Sequence, residues 1–418
     1  MDEDSQLFQT SLKSALPSLS NSTRAVHADD VLNNIDDVAP AIHVTTTFRY
    51  PRAVDRLRPH HERPSYPVLD NGEHCYSRQS TPGLSRLEAV LSSVLEHPCI
   101  AYSSGLGAFN ALLNMLNPKR VSIGAGYHGC HGTLELYARA SGTEVLSLDC
   151  AVDQLGPGDL VHLETPVNPT GRVLNIQYYA DRAHSRGAYL SVDSTFAPPP
   201  LQDPFLHGAD VVMHSATKYI GGHSDLLAGL LAVKGGGTWL QQLHRDRLYL
   251  GSALAGFDSW LATRSVRTLE MRVLRQSGSA EFIVRALHSA MTVSPRSAGT
   301  NILPVKDALT VQKVVKEIHH ASLEADADAE GWLLRQMPRG FGPVFALTVR
   351  EVDFAKSLPS KLLLFHHATS LGGVESLIEW RTMTDSTVTK DLLRISVGVE
   401  SPEDLLADLI QGMRAVCK

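Results

Sequence analysis

Apolar positions run along this chain in two rhythms. Leu84, Leu87, Val90, Leu91, Val94 and Leu95 repeat at the spacing of one helix face, and Ala108 to Leu116 forms a second helix-like stretch. Between and after them lie short apolar runs: Ile100-Ala101-Tyr102, Val121-Ser122-Ile123, Glu144-Val145-Leu146, Leu160 to Leu163, Ala188 to Val192, and Val211-Val212-Met213. Polar or glycine-rich residues follow these runs, which predict strands. Strands alternating with helices predict an α/β fold with a mostly parallel central sheet covered on both faces. In such sheets, sites gather at the carboxyl ends of the strands.

After about Arg272 the texture shifts. Glu281 to Met291 and Asp307 to Ala321 read as helices, and Phe345 to Val349 and Leu393 to Val397 as strands of a second, smaller α+β unit. Pro402-Glu403-Asp404 opens a last amphipathic helix, with Ser401 as its N-cap. Residues 1 to about 70 show no sustained periodicity, and Pro51 to Pro67, rich in Arg, His and Pro, predicts an irregular loop. The chain therefore divides into 1–70, 71–272 and 273–418. From the residues alone, the first part reads as a disordered tail.

Between two of the apolar runs stands His214-Ser215-Ala216-Thr217-Lys218-Tyr219-Ile220-Gly221-Gly222-His223-Ser224-Asp225. Its single lysine has hydroxyls on one side, Gly-Gly on the other, and apolar strands before and after. Burial penalises the charged form of a lysine and lowers its pKa. A neutral amine is what a carbonyl cofactor needs to form a Schiff base. The bland alternative is a surface loop with an ordinary lysine. Ser103-Ser104-Gly105-Leu106-Gly107, between a strand and a helix, offers backbone N–H groups and a helix N-terminus to an anion, although such turns contain glycine for steric reasons too. Asp193 ends an apolar strand, a costly place for an unpaired carboxylate. Arg394 sits among apolar neighbours on another strand, where its planar fork suits a carboxylate.

These stretches, in this order, resemble the Cys/Met-metabolism family of pyridoxal 5'-phosphate enzymes. Tyr76-Ser77-Arg78, Asp193-Ser194-Thr195-Phe196-Ala197, Glu164-Thr165-Pro166-Val167-Asn168-Pro169 and Ser370-Leu371-Gly372-Gly373 match further family segments. The resemblance runs from about Tyr76 to Glu400. It implies the fold type I, aspartate aminotransferase-like architecture, with Lys218 carrying the cofactor. It also implies that Ser104, Gly105, Leu106, Ser215 and Thr217 cup the phosphate. Tyr127 would stack on the ring and assist as a second acid or base, Asp193 would hold the ring nitrogen protonated, and Asn168 would meet the ring hydroxyl. Ser370 and Arg394 would take the α-carboxylate of an amino-acid substrate. Tyr76 and Arg78 would reach the phosphate of a neighbouring subunit, so the N-terminal arm and a shared site imply at least a dimer, in the family's usual homotetramer.

The family spans several reactions. The favoured expectation is γ-replacement on an O-activated L-homoserine, such as O-acetyl-L-homoserine, with a sulfur or carbon nucleophile. The alternatives are a cystathionine β- or γ-lyase or methionine γ-lyase, and a non-catalytic binding protein of the same fold. Two departures bear on the choice. The family's Tyr-Gly-Gly-Thr is here Tyr127-His128-Gly129-Cys130-His131-Gly132-Thr133, and its Pro and later His give way to Trp380 and Arg381, which are expected to reshape the substrate end.

Composition narrows this little further. The net charge of −6 with no basic run points away from nucleic acid. Five cysteines without CxxC pairing fit free thiols better than disulfides or zinc. The histidine pairs His128/His131, His319/His320 and His366/His367 lack partners at metal-ligand spacing. With an acidic N-terminus and no run of about 18 apolar residues, the expectation is a soluble cytoplasmic enzyme without membrane contact.

Overall fold

The computed structural model describes residues 3–33, 37–59, 74–234, 237–292, 303–325 and 328–418. Seven strands form the larger sheet: β1 (Cys99–Tyr102), β2 (Arg120–Ile123), β3 (Glu144–Ser147), β4 (Leu160–Glu164), β5 (Tyr189–Asp193), β6 (Val211–His214) and β7 (Gly229–Val233). Their order is β1-β7-β6-β5-β4-β2-β3. All pairs are parallel except those made by β7, which runs antiparallel to β1 and β6. The central strands β4 to β7 are buried almost throughout, as sheets covered on both faces require.

Register places the chemistry. Glu164 at the end of β4 pairs with Asp193 at the end of β5, and Asp193 pairs with Met213 of β6. The ends of three strands thus lie level, and Lys218 follows β6 by a short turn. On the other side of β7, the turn from β1 leads into the helix Gly105–Leu116. Gly229 opens β7 so close to this turn that a Cβ there would stand 2.2 Å from the Ser104 carbonyl oxygen.

The smaller sheet has the order β10-β11-β12-β9-β8, from β8 (Val315–His319), β9 (Val344–Val349), β10 (His366–His367), β11 (Leu377–Trp380) and β12 (Leu392–Ser396). The helix expected over Asp307 to Ala321 is corrected here. The helix covers Val305–Val314 and the chain then becomes β8, an edge strand antiparallel to β9 with a bulge between Val315 and Glu317. Two β-branched residues, Val314 and Val315, mark the change, and the deciding interaction is pairing with a strand far along the chain. The last helix, Pro402–Val416, has Ser401 accepting from the Asp404 N–H at 3.2 Å, as the sequence predicts.

The two sheets do not separate cleanly at residue 272. One helix, Leu269–Met291, crosses the boundary: Leu269 and Val273 pack in the core of the large sheet, Ala280 to Ala290 in that of the small one. The N-terminal part also differs from the unpatterned stretch read from sequence. It holds helices Glu3–Ala15 and Asn21–His27, and the second packs on the large domain of its own chain. Asp29, fully buried, accepts from Arg86 at 3.2 Å and from Arg267 at 2.9 Å. A seven-residue helix is too short to show a period, and these partners stabilise it from distant sequence. Part of the predicted Pro51 to Pro67 loop, from residue 60, lies outside the described residues.

Candidate active site

Lys218 sits in a turn closed by Lys218 N–H to the Ser215 carbonyl at 3.0 Å and Gly222 N–H to the Lys218 carbonyl at 2.7 Å. Its Nζ donates to Ser370 Oγ at 2.7 Å. Ser370 is a non-glycine residue at φ +75°, a strained conformation. Its loop runs so near that a Cβ on Gly372 would lie 2.8 Å from the Lys218 carbonyl carbon. The small domain therefore touches the lysine directly. Burial first, and then the Arg394 guanidinium, push the amine down to about 8. Below that pH the amine is protonated and cannot attack a carbonyl; above it the amine is free. In cofactor-free protein, the rate of pyridoxal 5'-phosphate capture should rise with pH through about 8, measured by stopped-flow absorbance. A limb near the ordinary lysine value of 10.5 would contradict this.

Asp193 is 5% exposed. Its Oδ1 accepts from Thr195 N–H at 3.0 Å and Thr195 Oγ1 at 2.5 Å, and Thr195 Oγ1 in turn accepts from Ser215 N–H at 2.8 Å. No hydrogen bond among the described residues falls on Oδ2. Burial pushes the carboxyl up and the Thr195 bonds pull it down. Beside it, Glu164 accepts from Tyr127 N–H at 2.7 Å and Asn168 N–H at 2.6 Å. Burial, then the Asp193 charge, pushes Glu164 up as well. Glu164 thus ties two loops to the end of β4, and Gly126 is required next to it, since a Cβ there would stand 2.5 Å from Oε2.

Tyr127, 38% exposed, precedes the helix His128–Ser141. Burial, then Cys130, raises its phenol, which keeps the proton on the oxygen. The altered loop has a clear requirement: a Cβ on Gly129 would lie 2.5 Å from Tyr127 Cε1. Gly129→Ala is expected to turn the ring aside rather than unfold the chain. Cofactor affinity should fall by about tenfold while the thermal midpoint of the cofactor-free protein moves little, checked by fluorescence titration and calorimetry.

At the helix N-terminus, Ser104 accepts from Gly107 N–H at 2.9 Å and so serves as the N-cap. The N–H groups of Gly105 and Leu106 have no helical acceptor. A Cβ on Gly105 would stand 3.0 Å from the Ser215 Cβ and 3.1 Å from its Oγ, so this turn and the lysine turn face each other closely. Thr217 behaves differently from its expected part. Its hydroxyl donates to the Ala228 carbonyl at 3.1 Å and accepts from Ala228 N–H at 3.0 Å, tying the lysine turn to β7. To give a phosphate a proton it must release Ala228.

Arg394, on β12 and 4% exposed, donates from Nη1 to Asn168 Oδ1 at 3.1 Å and from Nη2 to the Ser370 carbonyl at 2.7 Å and Glu379 Oε2 at 2.6 Å. Asn168 thereby links the lysine side of the site to the arginine. Trp380 does not reach the site: its Nε1 donates to the Lys390 carbonyl at 2.8 Å and its ring packs on the small core. Arg381 is buried behind Glu379. Both departures therefore lie in the small domain away from the Lys218 amine, Arg381 against Glu379 and Trp380 on the core. Tyr76 and Arg78 are exposed, the guanidinium 5.4 Å over the tyrosine ring, and no described hydrogen bond or ion pair joins them to Lys218, Asp193 or Arg394. Glu164 and Glu379 were given no role from sequence. The signal was there: each is a carboxylate in a strand of apolar residues, the argument that picked out Asp193.

These residues fit pyridoxal 5'-phosphate on two observations. A buried carboxylate keeps one oxygen without a partner, where a ring N–H would sit. Two unpaired N–H groups and the Ser215 hydroxyl converge where a phosphate would sit. The arrangement is that of a fold type I pyridoxal-phosphate enzyme. The chain belongs to the family described as Cys/Met metabolism PLP-dependent enzyme, which matches residues 22–414.

Known relatives cover both branches of that family's chemistry. The chain is 31% identical to a chloroplastic cystathionine beta-lyase of Arabidopsis thaliana, over 93% of this chain and 79% of that one. It is 31% identical to cystathionine gamma-lyase of Saccharomyces cerevisiae, over 94% and 96%. Its structure is similar to cystathionine gamma synthase from Xanthomonas oryzae pv. oryzae in complex with aminoacrylate and cysteine, with TM-score 0.78 and 27% identity over 95% of this chain and 98% of that one. Among the described residues no helix is long and apolar enough to cross a membrane.

Proposed function

We propose that the protein cleaves the bond between Cγ and a heteroatom in an L-homoserine-derived amino acid, either a thioether such as L-cystathionine or an ester such as O-acetyl-L-homoserine. The observation that carries this reading is the Lys218 amine, lowered to about 8, held at 2.7 Å by Ser370 next to the Arg394 fork. Bound pyridoxal 5'-phosphate supplies an electron sink at the α-carbon. Arg394, oriented by Asn168, binds the α-carboxylate and fixes which face of the substrate meets the lysine. Lys218 takes the α-proton and then moves a proton at Cβ, a pair of transfers that one base can serve because Ser370 holds it across a single face. Tyr127, whose phenol keeps its proton, gives it to the departing heteroatom. Asp193 keeps the ring nitrogen protonated while Glu164 holds Tyr127 and Asn168 at their stations.

When no acceptor is present the products are 2-oxobutanoate, ammonia and the free thiol or acid. A second reading, γ-replacement, has the same first half and ends with a nucleophile adding at Cγ. It is favoured by the altered loop, which places exposed His128 with its ring 4.8 Å from that of Tyr127. Tyr76 and Arg78 complete the phosphate site of a second copy, so the working unit is at least a dimer and, by the resemblance, a tetramer. The test is mass spectrometry of products from cofactor-loaded protein given L-cystathionine or O-acetyl-L-homoserine, alone and with thiol and carbon acceptors. An acceptor-dependent adduct selects replacement, and 2-oxobutanoate in every tube selects elimination. Absence of both overturns the proposal.

A further inference from the structure

Behind Arg394 the small domain buries a chain of four charges. Glu379 and Arg394 are register partners on β11 and β12. Glu379 Oε2 accepts from Arg394 Nη2 at 2.6 Å and from Arg381 Nη1 at 2.9 Å, while Oε1 accepts from Thr384 Oγ1 at 2.6 Å. Arg381 Nη2 continues to Asp385 Oδ2 at 3.2 Å. Asp385 Oδ1 is held by Thr387 N–H at 2.9 Å and Thr387 Oγ1 at 2.6 Å, and His128 Nδ1 stands 3.9 Å from Oδ2. Exposure is 2% for Glu379 and Arg381, 4% for Arg394 and 6% for Asp385. Two guanidinium groups and two carboxylates leave the set formally neutral.

A guanidinium offers a carboxylate two parallel forks, end-on through both terminal nitrogens and side-on through Nε and Nη2. Both use Nη2. On Arg394, both Nη2 hydrogens are already committed, to the Ser370 carbonyl and to Glu379. A substrate carboxylate that forks onto Arg394 displaces one of these two acceptors and, on either fork, competes with Glu379 for the single guanidinium charge. A buried carboxylate released without another partner is strongly unfavourable. Arg381 is that partner, and its Nε, buried and without a hydrogen bond, shows that its guanidinium is not saturated.

We propose that Arg381 is a specificity-determining positioning residue: it keeps Glu379 paired, so that Arg394 exchanges this internal carboxylate for the α-carboxylate of an L-amino acid. The proposal rests on the reading of Arg394 as the carboxylate site. It makes binding selective for amino acids over amines, through a residue that never touches substrate.

The test uses two probes that need no turnover, L-alanine and ethylamine, titrated into cofactor-loaded protein and read by the shift of the cofactor absorbance. Wild type should bind L-alanine the more tightly. Equal affinity would overturn the reading of Arg394 and the proposal with it. Arg381→Met should weaken L-alanine by at least about tenfold and leave ethylamine within about twofold. Arg381→Lys, which keeps the charge and loses the fork, should fall between. Loss of both probes alike, or of neither, would overturn the proposal while leaving the reading of Arg394 standing. If Arg381→Met fails to load cofactor, the charge-balanced double variant Arg381→Met/Glu379→Gln carries the test. With no internal carboxylate left to displace, it should bind L-alanine within about threefold of wild type. A tenfold loss confined to L-alanine in the double variant would show that Arg381 does not act through Glu379.

Discussion

Lys218→Ala is expected to lower turnover by at least about 10³-fold and to remove the absorbance of lysine-bound cofactor in the same protein. The two losses belong together because one amine does both tasks. The lysine is held by Ser370 from the small domain and by its own turn from the large one. No other lysine stands among the groups that shape its charge, which are Arg394, Glu379 and Arg381. Deleting the amine leaves Asp193, the helix N-terminus at Gly105 beside Ser215, and Arg394 in place, so pyridoxal 5'-phosphate should still bind, reversibly and without the covalent link. Dialysis followed by a spectrum distinguishes these states. Retained turnover would remove Lys218 from the chemistry altogether.

Asp193→Asn is expected to lower kcat by about 10² to 10³-fold while weakening cofactor binding far less. The amide keeps the shape of the carboxyl, and its oxygen still accepts from the Thr195 N–H and hydroxyl that orient Ser215. What disappears is the negative charge on the oxygen left free for the ring nitrogen. An amide N–H there pairs with an unprotonated nitrogen, which draws charge from the α-carbon poorly. The separation of effects is the point: a structural role for Asp193 alone would weaken binding and spare kcat. Spectral titration and steady-state kinetics on one preparation measure both.

Much of this site was legible because charge in an apolar strand needs a reason. Lys218, Asp193, Asn168 and Arg394 come from separate stretches, yet the structure joins them through Ser370, Glu379 and Glu164. Of these joining residues Ser370 is legible in the sequence, whereas Glu164 and Glu379 are not singled out there, although Glu164 ends β4 as Asp193 ends β5. Local pattern also could not show that Thr217 spends its hydroxyl on Ala228, since that bond depends on where β7 begins. The strand at Val315–His319 escaped for a similar reason: its pairing with β9 is non-local, and a helix directly before it extends the apparent period. The packing of Asn21–His27 rests on Asp29 meeting Arg86 and Arg267, contacts no window of sequence contains. Tyr76 and Arg78 stand exposed, and the part proposed for them is in another copy of the chain.

The most direct measurement of the central claim is turnover of L-cystathionine by the cofactor-loaded protein in deuterium oxide, with the keto acid identified by mass spectrometry. One lysine moving protons at both Cα and Cβ predicts 2-oxobutanoate carrying solvent deuterium, and deuterium at Cα of the recovered substrate. Pyruvate as the product would place the cleavage at Cβ and contradict the proposed γ-chemistry. Absence of α-exchange with both L-cystathionine and O-acetyl-L-homoserine would contradict the role given to Lys218.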